Sequence, residues 1–158
     1  MLSEQQWSDF ERDGYLFLGR LLDASIVGQL TRRADDLASG AVRNPHIQLQ
    51  LDTGGDYDAL PEAVTHFDGE PRLYRKIQGL ETDELFSPLV RHELFMSICS
   101  RLYGAHAPVS LFRAMIMNKP AGQGTYLPWH QDAGDVWKLD RDPLVTVWVA
   151  LDPATRAN

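Results

Sequence analysis

The apolar pattern of this chain changes period once, at Gly104, and that change limits the folds open to it. Before the glycine, Leu94, Phe95, Ile98 and Leu102 recur at helical spacing, the stripe of an amphipathic helix. Ser87 as N-cap and Pro88 in the first turn open that helix, which runs to Tyr103 and is closed by Gly104. After the glycine the period is two. In "VSLFRAMIMNKP" Val109, Leu111, Arg113, Met115 and Met117 fall on one side of a strand. "PWHQDAG" reads as a short second strand. "LVTVWVALD" reads as a third, apolar on both faces as a strand covered on both sides would be. Helices first and strands last predict an α+β fold.

The first hundred residues carry their own punctuation. Ser3 followed by Gln6 forms a capping box for a short helix with Trp7 and Phe10 on one face, ended by Gly14. "YLFLGRLL" has the look of an apolar strand. Asp23 caps a second helix, striped by Ile26, Val27, Leu30, Ala34 and Leu37 and stopped by Gly40. From Ala41 to Arg72 the periodicity fades except in "HIQLQLD", where Ile47, Leu49 and Leu51 alternate with polar residues. A long irregular stretch inside a compact domain points to a functional loop. "DTGGDYD" lacks the glycine position of an EF-hand and reads as a solvated acidic turn.

Length supports a single domain over 1–158, with a helical and loop part over 1–104 and strands over 105–158. The net charge of −7, with no basic run, argues against nucleic acid and against an anionic membrane surface. The single cysteine, Cys99, excludes an internal disulfide and sits in the helical stripe as an inert thiol. No apolar run is long enough for a bilayer and no signal-peptide pattern opens the chain, so the cytoplasm is the expected setting.

The chemistry concentrates in "YLPWHQDAGDVW". On a strand, residues two apart face the same way, so His130 and Asp132 project together with Gln131 opposite. An imidazole and a carboxylate side by side are two cis ligands for a divalent metal, two thirds of the facial triad of non-haem Fe(II) oxygenases. The same pair serves equally as a surface hydrogen bond, and the tripeptide alone favours that plainer reading.

The surrounding segments shift the balance. "FERDGYLFLGRLLD", "KIQGL", "LFRAMIMNKPAGQG", "LPWHQDAG" and "VTVWVALDPATRAN" follow one another in an order and spacing that resembles the phytanoyl-CoA dioxygenase family. That resemblance implies an Fe(II)- and 2-oxoglutarate-dependent oxygenase that uses dioxygen. Its fold would be N-terminal helices packed on part of a double-stranded β-helix, a jelly-roll or cupin-like barrel. It implies that His130 and Asp132 are iron ligands and that Lys76 holds a 2-oxoglutarate carboxylate. Met115 would line the co-substrate pocket, and Trp148 would sit beside the iron and the co-substrate. Read without the resemblance, Lys76 is a solvated charge, and Met115 and Trp148 are core residues.

The family also carries a second histidine, which completes the iron site, and an arginine for the far carboxylate of 2-oxoglutarate, both well downstream. The sequence reaches Asn158 before either. The first expectation is that the chain is part of a longer protein. A second is a half-barrel completed by another chain or by a second copy, since unpaired strand edges invite pairing. A third is ligation by His46 or His66; His92 reads as mid-helix, His106 follows a helix end, and Arg156 lies too near the last strand to replace the missing arginine. The function expected is oxidation of a small organic substrate. The alternatives are a catalytically incomplete or degenerate member serving as a binding or assembly module, and a hydrolytic zinc site built on the same two residues.

Overall fold

A computed structural model describes residues 1–65, 73–122, 124–132 and 137–157. The chain is α+β. Helices α1 (Glu4–Asp13) and α2 (Ala24–Ala38) precede strands β1 (Gln48–Leu51) and β2 (Tyr74–Gln78). A short helix α3 (Ser87–Val90), a longer α4 (Glu93–Tyr103) and strand β3 (Met115–Met117) follow. The three strands form one antiparallel sheet in the order β1-β2-β3. Among the described residues no helix is long and apolar enough to cross a membrane.

Both N-terminal helices begin and end where the residues direct. Ser3 accepts from the Gln6 N–H while the Gln6 side chain accepts from the Ser3 N–H, closing the capping box. Gly14, in the left-handed region at φ 74°, turns its N–H back to the Phe10 carbonyl. In α2 the Asp23 carboxylate accepts from the Ile26 N–H. The buried stripe of α2 is narrower than the sequence predicts: Leu30, Ala34, Leu37 and Ala38 are buried, whereas Ile26 is exposed.

That stripe lies against the sheet. Ile47, Leu49, Tyr74 and Ile77 meet it, with Leu80 and Phe86 from the segment after β2. Each fully buried large apolar side chain contributes about 1.5–3 kcal/mol, so these few residues dominate the stability of the unit. Arg33 reaches from α2 to Asp83, Nε to Oδ2 at 3.0 Å, and Asp83 is wholly buried. The second oxygen of Asp83 accepts from the Leu85 N–H, so the carboxylate ties α2 to the turn after β2.

Gly79 ends β2 at φ +85°. A Cβ there would collide with the carbonyl oxygen of His46, just before β1. The two strands can close at this end only over a glycine.

Four expectations change. The central strand β2 is "YRKIQ", a segment not read as a strand, and within 105–158 the described residues hold only the short β3. "YLFLGRLL" is irregular, with Tyr15 and Phe17 largely exposed and Gly19 at φ 73°: it has no neighbouring strand to share its hydrogen bonds. The helix expected from Ser87 to Tyr103 breaks at Arg91 and His92, and His92 becomes the N-cap of α4, its Nδ1 accepting from Leu94. Residues 144–152 form no strand; the Leu144 N–H goes to the Tyr103 hydroxyl at 2.8 Å. This segment still returns to the sheet. Leu151 packs on the core, and the Tyr74 phenol, pushed up to about 12 by burial, also feels the carboxylates of Asp35 and Asp152.

Candidate functional site

The site is built outward from the end of β1. Asp52 follows β1, and its N–H still pairs with the Leu73 carbonyl at 2.8 Å. Its carboxylate accepts from the Gly54 N–H at 2.8 Å, closing a tight turn at Gly54. The same carboxylate holds Thr125, from the hydroxyl at 2.6 Å and from the N–H at 3.0 and 3.1 Å. Burial alone would raise the Asp52 carboxyl. The hydrogen bonds from the Thr125 hydroxyl, Gly54 and the Thr125 N–H, with Arg75 nearby, outweigh it and hold the pKa below 3.8. Thr125 is buried, so the chain leaves towards His130 from a fixed point.

His130 and Asp132 do converge, though on irregular backbone; residues 128–132 form no strand, and 133–136 lie outside the described residues. Nε2 of His130 stands 3.4 Å from Oδ1 of Asp132, and both side chains are about half exposed, at 49% and 51%. The other ring nitrogen, Nδ1, is 2.8 Å from the Pro128 carbonyl. A carbonyl only accepts, so Nδ1 carries a proton and Nε2 is the nitrogen that faces Asp132, where a proton or a metal ion can join the two. Cis ligands of a six-coordinate ion with bonds of about 2.1 Å lie roughly 3 Å apart. The donor set and its orientation therefore fit a divalent metal, with the Pro128 carbonyl in the outer position that fixes a ligating histidine.

Among the described residues no third histidine, cysteine, aspartate or glutamate joins the pair. His46 is exposed, His92 is a helix cap, and His106 is exposed. His66, the other suggested donor, lies outside the described residues. Arg156 is exposed. Cys99 is partly buried, which raises its pKa and favours the unreactive thiol.

The predicted co-substrate residues are less uniformly placed. Lys76 stands in the middle strand, opposite Gln50 of β1 and Met117 of β3. Burial is the first cause that lowers its pKa, followed by the charges of Arg75 and Arg113, while Asp132 acts in the opposite sense. Lys76 and the His–Asp pair thus share one electrostatic neighbourhood. Met115 lies on β3 opposite Gln78, on the face that Lys76 shares, and is partly buried. Trp148 is 73% exposed on the irregular 144–152 segment.

Two residues enter the site without having been singled out for it. Asp52 was read as part of a solvated acidic turn, and nothing in "DTGGDYD" signals a partner seventy residues on. Arg113 was placed only by parity, on the side of Met115. Its guanidinium lies over Phe112 and Trp137, 5.0 and 4.8 Å from the ring centres, and those rings stack at 5.2 Å. The stack draws Trp137, beyond the His–Asp step, back to the start of β3.

Comparison with known proteins agrees with the resemblance. A family profile described as phytanoyl-CoA dioxygenase matches residues 10–158. A protein of Caenorhabditis elegans, named "Probable phytanoyl-CoA dioxygenase", is 22% identical over 162 aligned positions, which take in 100% of this chain and 50% of that protein. The chain spans about half the length of this curated relative. No solved structure matches.

Proposed function

This chain belongs to the phytanoyl-CoA dioxygenase family, and from that premise we propose that it carries the metal-binding and co-substrate-binding part of an Fe(II)- and 2-oxoglutarate-dependent dioxygenase. The observation that carries the reading is the convergence of Nε2 of His130 and Oδ1 of Asp132 at 3.4 Å, with Nδ1 already committed to Pro128. Ferrous iron bound there would couple decarboxylation of 2-oxoglutarate to oxidation of a small organic substrate, one oxygen atom of dioxygen entering succinate and the other the substrate.

The chain's own residues do the positioning. The Pro128 carbonyl holds His130 in the ligating tautomer. Asp132 supplies an anionic ligand that offsets part of the metal charge. Lys76 takes a 2-oxoglutarate carboxylate as a compact cation, and its partial burial limits competition from water. Met115 lines that pocket and Trp148 stands beside the iron and the co-substrate. The Asp52–Thr125 latch sets where the ligand segment leaves the sheet. The larger architecture is a double-stranded β-helix to which the three-stranded sheet contributes, in a protein of the cytoplasm.

The test is an anaerobic titration with ferrous iron in excess and 2-oxoglutarate, followed by visible absorption. A weak charge-transfer band that forms in the wild type and vanishes in His130→Ala and Asp132→Ala is the expected result. No band and no retention of iron by the wild type would refute the reading.

One observation favours a second reading. Leu111, Tyr126, Trp129, Leu144 and Trp148 are each more than half exposed, and no third ligand joins the pair among the described residues. A non-catalytic binding or assembly module would show both features. It would give no succinate under oxygen and would bind its partner equally well after His130→Ala.

A further inference from the structure

Tyr74 and Ile77 both belong to the core, although they lie three residues apart on β2. Strict alternation would place them on opposite faces of the sheet. The register accounts for it. Gln50 pairs with Lys76 but Leu51 pairs with Tyr74, so Arg75 is an extra residue with no partner on β1, a β-bulge. The bulge sets Arg75 and Lys76 together on the face turned away from the core. The contacts agree: Gln50, opposite Lys76, accepts from the Arg75 guanidinium at 3.0 Å.

Arg75 is 4% exposed, yet it is no part of the apolar core. The segment after β1 lies over it. The Tyr57 ring centre is 5.1 Å from the guanidinium carbon. Gln50 extends the hold, donating from Nε2 to the Pro61 carbonyl at 3.0 Å. At its start the segment is tied by Asp52, which grips Thr125 on the way to His130. At its end Val64 exchanges two hydrogen bonds of 2.7 Å with Leu49. Residues 52–64 are thus pinned along β1, beside Lys76. A guanidinium next to a lysine has a cost, and its charge is felt at Lys76. An apolar residue would fill the bulge without that cost. What the guanidinium adds is a planar edge of donors and a face for an aromatic ring, so that one side chain grips strand and loop at once.

We propose that Arg75 is a positioning residue that docks residues 52–64 as the β1-side wall of the pocket in which Lys76 meets its ligand. It acts through Gln50 and Tyr57 and touches no ligand itself. The irregular stretch before β2 thereby becomes part of the site. The inference rests on the reading that Lys76 holds a 2-oxo acid.

The experiment keeps the two apart. The full chain, loaded with Mn(II) as an oxygen-stable substitute for ferrous iron, is titrated calorimetrically with 2-oxoglutarate and then digested briefly with chymotrypsin, the cuts being read by mass spectrometry. The cut after Tyr57 reports release of the segment. The cut after Phe95, which is buried, reports global unfolding. In the wild type 2-oxoglutarate at about ten times its Kd slows the Tyr57 cut roughly tenfold. Arg75→Met speeds that cut by roughly tenfold, leaves the Phe95 cut unchanged and removes the protection by 2-oxoglutarate. If Arg75→Met fails to fold, Tyr57→Ser serves: the position is partly exposed, the net charge is unchanged, and 2-oxoglutarate binds several-fold more weakly. A wild type that binds 2-oxoglutarate without protecting Tyr57, a folded Arg75→Met cut at the wild-type rate, or a Tyr57→Ser that binds as the wild type does, overturns the role of Arg75 and leaves the co-substrate reading standing. A wild type that binds no 2-oxoglutarate overturns that reading and this inference with it.

Discussion

Replacing Asp52 by alanine tests whether the latch on Thr125 positions the ligand segment. The carboxylate accepts from three donors: the Gly54 N–H, the Thr125 N–H and the Thr125 hydroxyl. Gly54 is exposed, so water replaces that partner at little cost. Thr125 is only 5% exposed, and its two donors would be stranded. At roughly 1.5 kcal/mol for each charged hydrogen bond, the loss is about 3 kcal/mol at pH 7. With a urea slope of ~2 kcal/mol/M the midpoint falls by about 1.5 M. Thr125→Val removes only the hydroxyl and should cost about half as much. The pKa of Asp52 is lower folded than unfolded, so its contribution is full above the unfolded value of 3.8 and is lost as pH falls through the folded one. The gap between wild type and Asp52→Ala should therefore narrow as pH is taken below 3.8. Urea unfolding followed by far-ultraviolet circular dichroism measures both effects. A cost under about 0.5 kcal/mol at pH 7, or a gap that stays constant in acid, would show that the Asp52 hydrogen bonds do not anchor this segment.

Three other perturbations have equally definite outcomes. Gly79→Ala combines a positive φ with a Cβ driven into the His46 carbonyl, and should cost roughly 2–4 kcal/mol in a thermal melt; an unchanged melting temperature would mean the two strands do not close as described. Arg33→Met leaves the wholly buried Asp83 without its cation and should cost about 3–5 kcal/mol, whereas Arg33→Met combined with Asp83→Leu should regain most of it; a double variant no better than the single one refutes the pairing. Lys76 titrates lower folded than unfolded, so its charged form opposes folding at neutral pH and stability rises as pH climbs through the folded pKa. Lys76→Met should accordingly stabilise the fold at pH 7 by about 0.5–1 kcal/mol, read as a higher urea midpoint, while abolishing 2-oxo acid binding; a lower midpoint contradicts the electrostatics.

The features legible in the sequence were the ones whose cause is local. The capping box at Ser3, the Asp23 cap and the alternation in "HIQLQLD" each act within a few residues, and each stands in the structure. Strand pairing is not local. "YRKIQ", with adjacent Arg75 and Lys76, lacks an apolar alternation, yet it is the central strand: Ile77 is buried, and Arg75 donates to Gln50 from the neighbouring strand. "LVTVWVALD" has the composition of a strand and, among the described residues, no neighbour to pair with. The same division runs through the site. The closeness of His130 and Asp132 was legible from two-residue spacing, although irregular backbone, not a strand, produces it. Asp52 and Arg113 were not, because their roles depend on Thr125 and Trp137, which chain folding alone brings to them.

The brace at the N-terminus has a practical corollary for optical work. Glu4 forks onto Arg101 at 2.6 and 2.8 Å, and that guanidinium covers Trp7, 4.8 Å above its ring. Of the four tryptophans in the chain, Trp7 is the deeply enclosed one, at 6% exposure, against 97% for Trp129 and 73% for Trp148. Intrinsic emission will then shift colour mainly when α1 peels away from α4. A fluorescence trace dates the departure of α1, with a second and smaller contribution from Trp137 in its stack with Phe112 beside β3.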